Sequence, residues 1–412
     1  MYSKLFEKKF LKEIKQILFF SGGNSFAHLI QIVYAILVAR SITPYQLGIY
    51  SGLYANIGIS ITLVNFGLDI WMLQKTQQHI SLRELTGRVL SIKLLFGLIW
   101  GVLCLLLLPI FRPNVFTFFL VLIAIGDVFF ESLITTILSA WNIQGKIKKI
   151  NFFLLVFRFG KLFFLLLLLF YLNNISHVTI IGSRLFISLL GLVTSSILFS
   201  PIFKGVKIRT MFQMIKESLD FGFSEILAVI YGNIDLAILA FYSISDTGFY
   251  SPASGIIHAL FIIPNSFYLF LLPRIAKKRS QLSKKGFKQL IFKIVLLFSV
   301  VGIILSLALL IGGEFAVNLV LGPRYLFTGD LLTLLSPVIF IKSVSFSFAL
   351  IIIINGDQRK RLLPQFLVAT INITLLILFI PIYGVIGVAW IYIASEMILL
   401  IGYGIIVIKS VL

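Results

Sequence analysis

The chain is 412 residues long, 59% hydrophobic and 12% charged, whereas a soluble domain carries about 25% charged residues. That leaves too few polar side chains to cover a water-facing surface, so the composition excludes a soluble globular protein and points to a polytopic membrane protein. The net charge of +20 is no sign of nucleic-acid binding, because the basic residues sit in short segments between apolar runs.

Inside lipid every backbone N–H and C=O must pair within the protein. Apolar runs of about twenty residues therefore predict helices, since barrel strands would be shorter and alternating. Residues 1–16 form a basic amphipathic leader, with Lys4, Lys8, Lys9, Lys12 and Lys15 against Glu7 and Glu13. The apolar run behind it is too long for a signal-peptide core and reads as a retained first span. Expected spans are 17–40, 47–71, 87–109, 115–142, 152–172 and 178–200. After a basic linker at 201–216 come 217–242, 248–272, 287–311, 328–354, 362–381 and 384–408. The predicted fold is an all-α membrane protein of twelve transmembrane helices, with one six-helix bundle over 17–200 and a second over 217–412.

Lysine and arginine crowd one set of connections: the leader, Lys75 to Arg88, Lys146 to Lys149, Lys204 to Lys216, Arg274 to Lys288, Arg359 to Arg361, and Lys409. The opposite set has little beyond Arg112 and Arg324, with Arg40 at its border. With an even number of spans, the positive-inside rule then predicts that both termini are cytoplasmic. Trp71 and Trp141 at the basic ends, and Tyr45, Tyr50, Tyr171, Tyr242, Tyr250 and Tyr383 at the other, suggest interfacial belts. Residues 314–330 are expected to be the one sizeable outer loop, either capping a vestibule or serving as a solvated connector. Cys104, the only cysteine, lies in an apolar run and excludes a disulfide framework or a thiolate cluster.

An internal repeat runs through the chain. Gly48, Tyr50 and Ser51 recur as Gly248, Tyr250 and Ser251, and Gly22, Ile57 and Lys93 recur as Gly222, Ile257 and Lys293. Two similar halves, each opening with a helical hairpin, follow from this register.

Charges within spans cost roughly 2.5–3.5 kcal/mol each at mid-helix, so each needs an account. Lys93 and Lys293 lie near helix starts and are expected to snorkel, and Asp69 is similarly placed. Arg158 and Lys161, three apart, share one face of the fifth span. Arg184 lies in the sixth span and Lys342 in the tenth. Against them stand Asp127 and Glu131 on one face of the fourth span, Glu225 and Asp235 in the seventh, and Glu396 in the twelfth. Two readings stand side by side: buried pairs that neutralise one another, or a water-filled central cavity whose cations suit an anionic ligand. The carboxylates Asp127, Glu131, Glu225 and Asp235 are candidates for H+ or Na+ coupling. His28 and His258 serve either as packing residues or as proton carriers. Gly22 and Gly23 in the first span, Pro264 in the eighth and Pro337 in the tenth are hinge candidates, or fixed kinks.

The segment from Ala39 through Arg40, Gly48, Tyr50 and Ser51 resembles the Arg-x-Leu-x-x-x-x-Tyr/Phe-Gly-x-Tyr-Ser corner of the Wzx-type polysaccharide flippases. These belong to the multidrug/oligosaccharidyl-lipid/polysaccharide (MOP) superfamily. Ile42 and Leu47 replace the usual leucine and aromatic residue. Asn233-Ile-Asp235 followed by Gly248-Phe-Tyr250-Ser251, and Phe270-Leu-Leu-Pro273-Arg274-Ile-Ala276, are similar to further family patterns. The resemblance implies a V-shaped pair of bundles, alternating access, and a lipid-linked oligosaccharide substrate of the undecaprenyl-diphosphate type. It implies polysaccharide polymerase or assembly proteins as partners beside membrane lipids. It also implies a cationic lumen, to which Arg40, Arg158, Lys161, Arg184 and Lys342 are assigned.

Competing readings are a drug or metabolite antiporter of the same superfamily, a major-facilitator transporter, and a membrane glycan polymerase. A drug antiporter wants an acidic, aromatic lumen. A major-facilitator protein wants a Gly-Asp-Arg-x-Gly-Arg-like loop, which Lys75 to Gly87 lacks. A polymerase wants a large polar outer loop. No phosphate-binding glycine loop, zinc pattern or nucleophile motif occurs, so the expectation is a non-enzyme without a resident cofactor.

Overall fold

The computed structural model describes residues 26–74, 81–172, 174–203, 208–279, 283–356 and 358–411. The leader and the hinge candidates Gly22 and Gly23 lie outside the described residues. The described chain is helical: α1 (Phe26–Ser41), α2 (Pro44–Ser60), α3 (Thr62–Asn65), α4 (Leu68–Gln74), α5 (Leu82–Phe111), α6 (Phe118–Ile143), α7 (Ile147–Tyr171) and α8 (His177–Phe199). There follow α9 (Ile208–Tyr242), α10 (Ile244–Leu260), α11 (Ile262–Arg279), α12 (Lys284–Leu321), α13 (Leu326–Ile354) and α14 (Leu362–Val411), the last broken at Gly384, where φ is +55°. Among the described residues nine helical segments are long and apolar enough to cross a bilayer, or ten with α9. Each of the twelve expected spans falls on helix wherever it is described, apart from breaks and frayed ends.

The chain forms two compact units, Met1–Ile42 with Leu53–Val229, and Thr43–Gly52 with Ile230–Leu412. In the first, α6 packs chiefly on α8 and α5; in the second, α13 packs on α12, α14 and α10. Large apolar side chains face outward along the spans, among them Leu98, Ile110, Phe170 and Ile311, at 70%, 71%, 83% and 82% exposure. In water such a surface would aggregate, and in a bilayer it is the lipid-facing belt.

The repeat register has a structural basis in the second unit. The first turns of α2 and α10 cross so closely that a Cβ on Gly48 would collide with the carbonyl of Ile244, and a Cβ on Gly248 with that of Pro44. The contact is reciprocal across the 200-residue offset, and only glycine permits it.

Several expectations are corrected. The second span is not one helix: it breaks after Ser60 and again at Phe66–Gly67, both with left-handed backbone, φ +40° and +67°. The expected outer loop 314–330 is mostly helix, because α12 runs to Leu321 and only Gly322 and a 3-10 turn, Pro323–Tyr325, separate it from α13. The linker is helical from Ile208. Trp71 and Trp141 are not interfacial; at 3% and 0% exposure they sit in a core with Met72, Val89 and Ile137. Tyr45, Tyr171, Tyr242 and Tyr383 are exposed, whereas Tyr250 is buried. Lys93 does not snorkel. It is fully buried with its Nζ 2.8 Å from Asp69 Oδ2, and Thr136 donates to the other Asp69 oxygen at 2.8 Å. Its repeat mate Lys293 is exposed.

Pro264 lies in the first turn of α11, just past the α10–α11 break at Phe261. Its missing N–H and its ring remove the bond that would have joined Leu260 to the next turn. Pro337 lies inside an uninterrupted α13.

Candidate functional site

Five of the span charges meet in the first unit. Asp127 and Glu131, four apart on α6, project from one face toward α7 and α8. Asp127 is fully buried, and both of its oxygens are used. Oδ2 accepts from Arg184 Nε of α8 at 2.7 Å and from Tyr54 Oη of α2 at 2.6 Å. Oδ1 accepts from Ser188 Oγ at 2.5 Å and Lys161 Nζ of α7 at 3.2 Å. Burying a carboxylate is tolerable only with such pairing and hydrogen bonding.

Glu131 differs. Its side chain is 40% exposed, and one oxygen, Oε1, serves both Lys161 and Arg184, the latter at 3.4 Å. The Arg184 guanidinium lies 4.3 Å from the Tyr54 ring centroid, and Lys161 Nζ lies 4.9 Å from that of Phe157, cation–π contacts that fix both heads.

Arg158, one turn before Lys161, is held by neutral acceptors: the Ala27 carbonyl at 3.3 Å, His28 Nδ1 at 3.4 Å, and the Gln31 amide oxygen. These come from α1, and Arg158 and Lys161 of α7 with Arg184 of α8 line a common cavity of about 160 Å³ in the first unit, with Glu131, Gln31 and Tyr34 on its wall. With Asp127 behind the wall, the cluster keeps one net positive charge. Lys161 and Arg184 are paired, and they and Arg158 also line a cavity within the first unit.

The other assigned residues lie elsewhere. Arg40 is exposed in the last turn of α1 and does not line this cavity. Lys342 belongs to the second unit, where its Nζ is 2.6 Å from Oε1 of the fully buried Glu396. Among the described residues Glu396 Oε2 has no hydrogen-bond partner. Nearby, Tyr392 Oη and His258 Nε2 are 3.3 Å apart. Asp235 accepts from Tyr250 Oη at 2.5 Å and the Leu236 N–H at 2.8 Å. Glu225, in the first unit, accepts from the N–H of Gly67 at 3.1 Å, satisfying a donor that the break in the second span frees.

Sequence reasoning missed Tyr54, Ser188 and Gln31. Ser188 had a signal, standing four after Arg184 on α8 and so on the same face. Tyr54 had none, because only the tertiary fold brings α2 to α6.

The comparisons agree with this architecture. A family model described as "Polysaccharide biosynthesis protein" matches residues 14–278. No curated protein matches the sequence. Among solved structures the chain is similar to the lipid II flippase MurJ in an inward closed conformation, at 14% identity and TM-score 0.73 over 95% of this chain and 89% of that one. It is also similar to an inward-facing MATE multidrug transporter of the MOP superfamily, at 11% identity and TM-score 0.70 over 93% of each chain. A further similar structure is a MOP transporter from Pyrococcus furiosus whose binding pocket has reverse polarity, at 10% identity and TM-score 0.55 over 96% of this chain and 95% of that one. At such identities the likeness fixes the fold alone. The chain belongs to the polysaccharide biosynthesis protein family and shares the all-helical fold of these MurJ and MATE structures.

Proposed function

We propose that the protein flips a polyprenyl-diphosphate-linked oligosaccharide from the cytoplasmic to the outer leaflet of a bacterial cytoplasmic membrane by alternating access, with both termini cytoplasmic. The observation that carries this reading is the cavity wall of the first unit, where Arg158, Lys161 and Arg184 face one space against a single half-exposed carboxylate. A diphosphate head would otherwise have to leave water for hydrocarbon. Arginine forks onto phosphate oxygens and lysine supplies a point charge, so such a wall replaces the lost hydration. Outward movement of an anion gains about 2.3 kcal/mol per charge per 100 mV of inside-negative potential. Family membership supports a glycan cargo, and the cationic wall disfavours the cationic drugs of an antiporter.

Coupling to H+ or Na+ deepens the reading. Of the four carboxylate candidates in this proposal, Asp127, Glu225 and Asp235 are engaged in hydrogen bonds within the protein matrix, and Glu131 faces the cavity. Hinge motion at Gly22, Gly23, Pro264 and Pro337 belongs to the same proposal.

The test uses cells lacking the protein, labelled with radioactive sugar and complemented with wild type or Arg158→Glu. Wild type is expected to clear lipid-linked glycan from the cytoplasmic leaflet. The variant, inserted at normal levels, is expected to leave it there with at least tenfold lower surface glycan. Normal export by Arg158→Glu, or accumulation of unpolymerised units on the outer leaflet in cells lacking the protein, would overturn the reading.

A further inference from the structure

We propose that Glu131 is a built-in occupant of the anion site: in the empty cavity its carboxylate stands where a phosphate oxygen will bind, and substrate loads by displacing it. The inference rests on the function proposed above and adds how the site is kept between loads.

The two carboxylates of α6 face the same cations but are built for different jobs. Asp127 is locked, with four partners contributed by α2, α7 and α8 and no exposure. It is the permanent counter-ion behind the wall. Glu131 is longer by one methylene, and its side chain is 40% exposed toward the cavity. Its Oε1 alone bridges Lys161 and Arg184. One anionic oxygen shared by a lysine and an arginine is the arrangement a terminal phosphate oxygen would take. Arg158 stands beside this bridge, hydrogen-bonded among the described residues to the neutral acceptors of Ala27, His28 and Gln31, ready to meet a second phosphate oxygen.

The exchange answers two physical demands. Returning empty, the carrier must not leave Lys161 and Arg184 uncompensated in a low-dielectric interior, which is costly. Releasing its load, it must not hold a diphosphate against three cations with one counter-ion. A carboxylate that re-enters as the phosphate leaves meets both, because the cations keep an anionic partner throughout.

The test measures binding to purified protein in nanodiscs with two probes, farnesyl diphosphate and inorganic pyrophosphate. Glu131→Gln keeps the shape and removes the competing charge. Both probes are expected to bind it at least tenfold more tightly than wild type, while flipping in the complemented cells slows because release is retarded. An equal gain for both probes places the effect at the phosphates; a gain for farnesyl diphosphate alone would overturn the displacement, since a prenyl contact would then explain it. A merely structural ion pair predicts the opposite, weaker binding together with lower thermal stability, and that result would also overturn the inference. If wild type binds farnesyl diphosphate, Arg158→Gln weakens it, and Glu131→Gln is unchanged, the displacement falls while the flippase reading stands. If neither wild type nor Glu131→Gln binds either probe, both fall.

Discussion

Replacing Asp127 by asparagine probes what keeps the two cation-bearing helices, α7 and α8, against α6. In the native cluster each oxygen of Asp127 receives two donors: Arg184 and Tyr54 on Oδ2, Lys161 and Ser188 on Oδ1. An amide keeps one acceptor oxygen and turns the other into a donor. Whichever way it flips, its NH2 faces a cation and a hydroxyl that also donate, and Lys161 and Arg184 lose their buried counter-ion. Breaking a buried pair by removing one partner costs about 3–5 kcal/mol. Glu131→Gln, at a half-exposed site, should cost about 1 kcal/mol or less. Cys104 offers a reporter, being the only cysteine and buried on α5, which packs on α6. Its labelling by a thiol reagent reads the equilibrium for opening the first unit. Asp127→Asn should raise the labelled fraction by roughly 10² to 10⁴-fold in equilibrium constant, with Glu131→Gln close to wild type. Adding Lys161→Met should recover part of the loss, since it removes one of the orphaned charges, with a coupling on the order of 1–3 kcal/mol. Labelling of Asp127→Asn at the wild-type rate would refute the reasoning, and so would equal effects at Asp127 and Glu131; either would mean that water, not the protein, balances these charges.

Two further predictions concern the repeat. Lys93→Met should destabilise by about 3 kcal/mol by stripping Asp69 of its buried partner, whereas Lys293→Met, at an exposed position, should stay within about 0.5 kcal/mol; thermal unfolding midpoints of the two variants in one detergent decide it, and similar midpoints would refute it. Gly248→Val must push apart the starts of α2 and α10, an overpacking of about 1–3 kcal/mol or more, and should cut the monodisperse yield of a fluorescent fusion. Gly255→Val, with open space around its Cβ, should not, and equal yields would sink the close-crossing argument.

The fold was legible because the signal is additive. A run such as 152–172 carries about twenty residues of apolar bias, and lipid leaves the backbone one solution, so the helices fall where hydropathy puts them. What hydropathy does not encode is what each helix does within its length. The break at Phe66–Gly67 depends on the Glu225 carboxylate arriving from α9 to take a freed N–H, a contact between residues 158 positions apart in sequence. The helical continuation of α12 through Gly312 and Gly313 went the other way, since glycines that punctuate a soluble chain are common within membrane helices. In the site, the i, i+3 and i, i+4 spacings of Arg158/Lys161 and Asp127/Glu131 showed which charges share a face. They did not show that α6, α7 and α8 turn those faces toward one another, nor that Lys342 would find Glu396 instead.

Lys93 shows why burial was misjudged. Distance from a helix start measures depth in the bilayer, and at that depth snorkelling is always open to a lysine on a lipid-facing surface. Depth says nothing about which face of the helix the residue occupies. Lys293, in the same register of the repeat, takes the exposed solution. Lys93 takes the buried one because the Asp69 carboxylate of α4 and the Ser132 carbonyl of α6 both accept from it. The repeat therefore preserves what backbone geometry demands, the glycines where α2 and α10 touch, and lets the charges diverge. By the same logic the cluster of Asp127, Glu131, Arg158, Lys161 and Arg184 belongs to one unit and not to the repeat. α13 carries only Asp330 and Lys342 as charged residues over its whole length, so it has no counterpart to the carboxylate pair of α6. If the proposed function holds, the first unit, where these cations line the cavity, is the one that binds, and charge-reversing substitutions there should impair transport far more than removal of the Lys342–Glu396 pair as a unit.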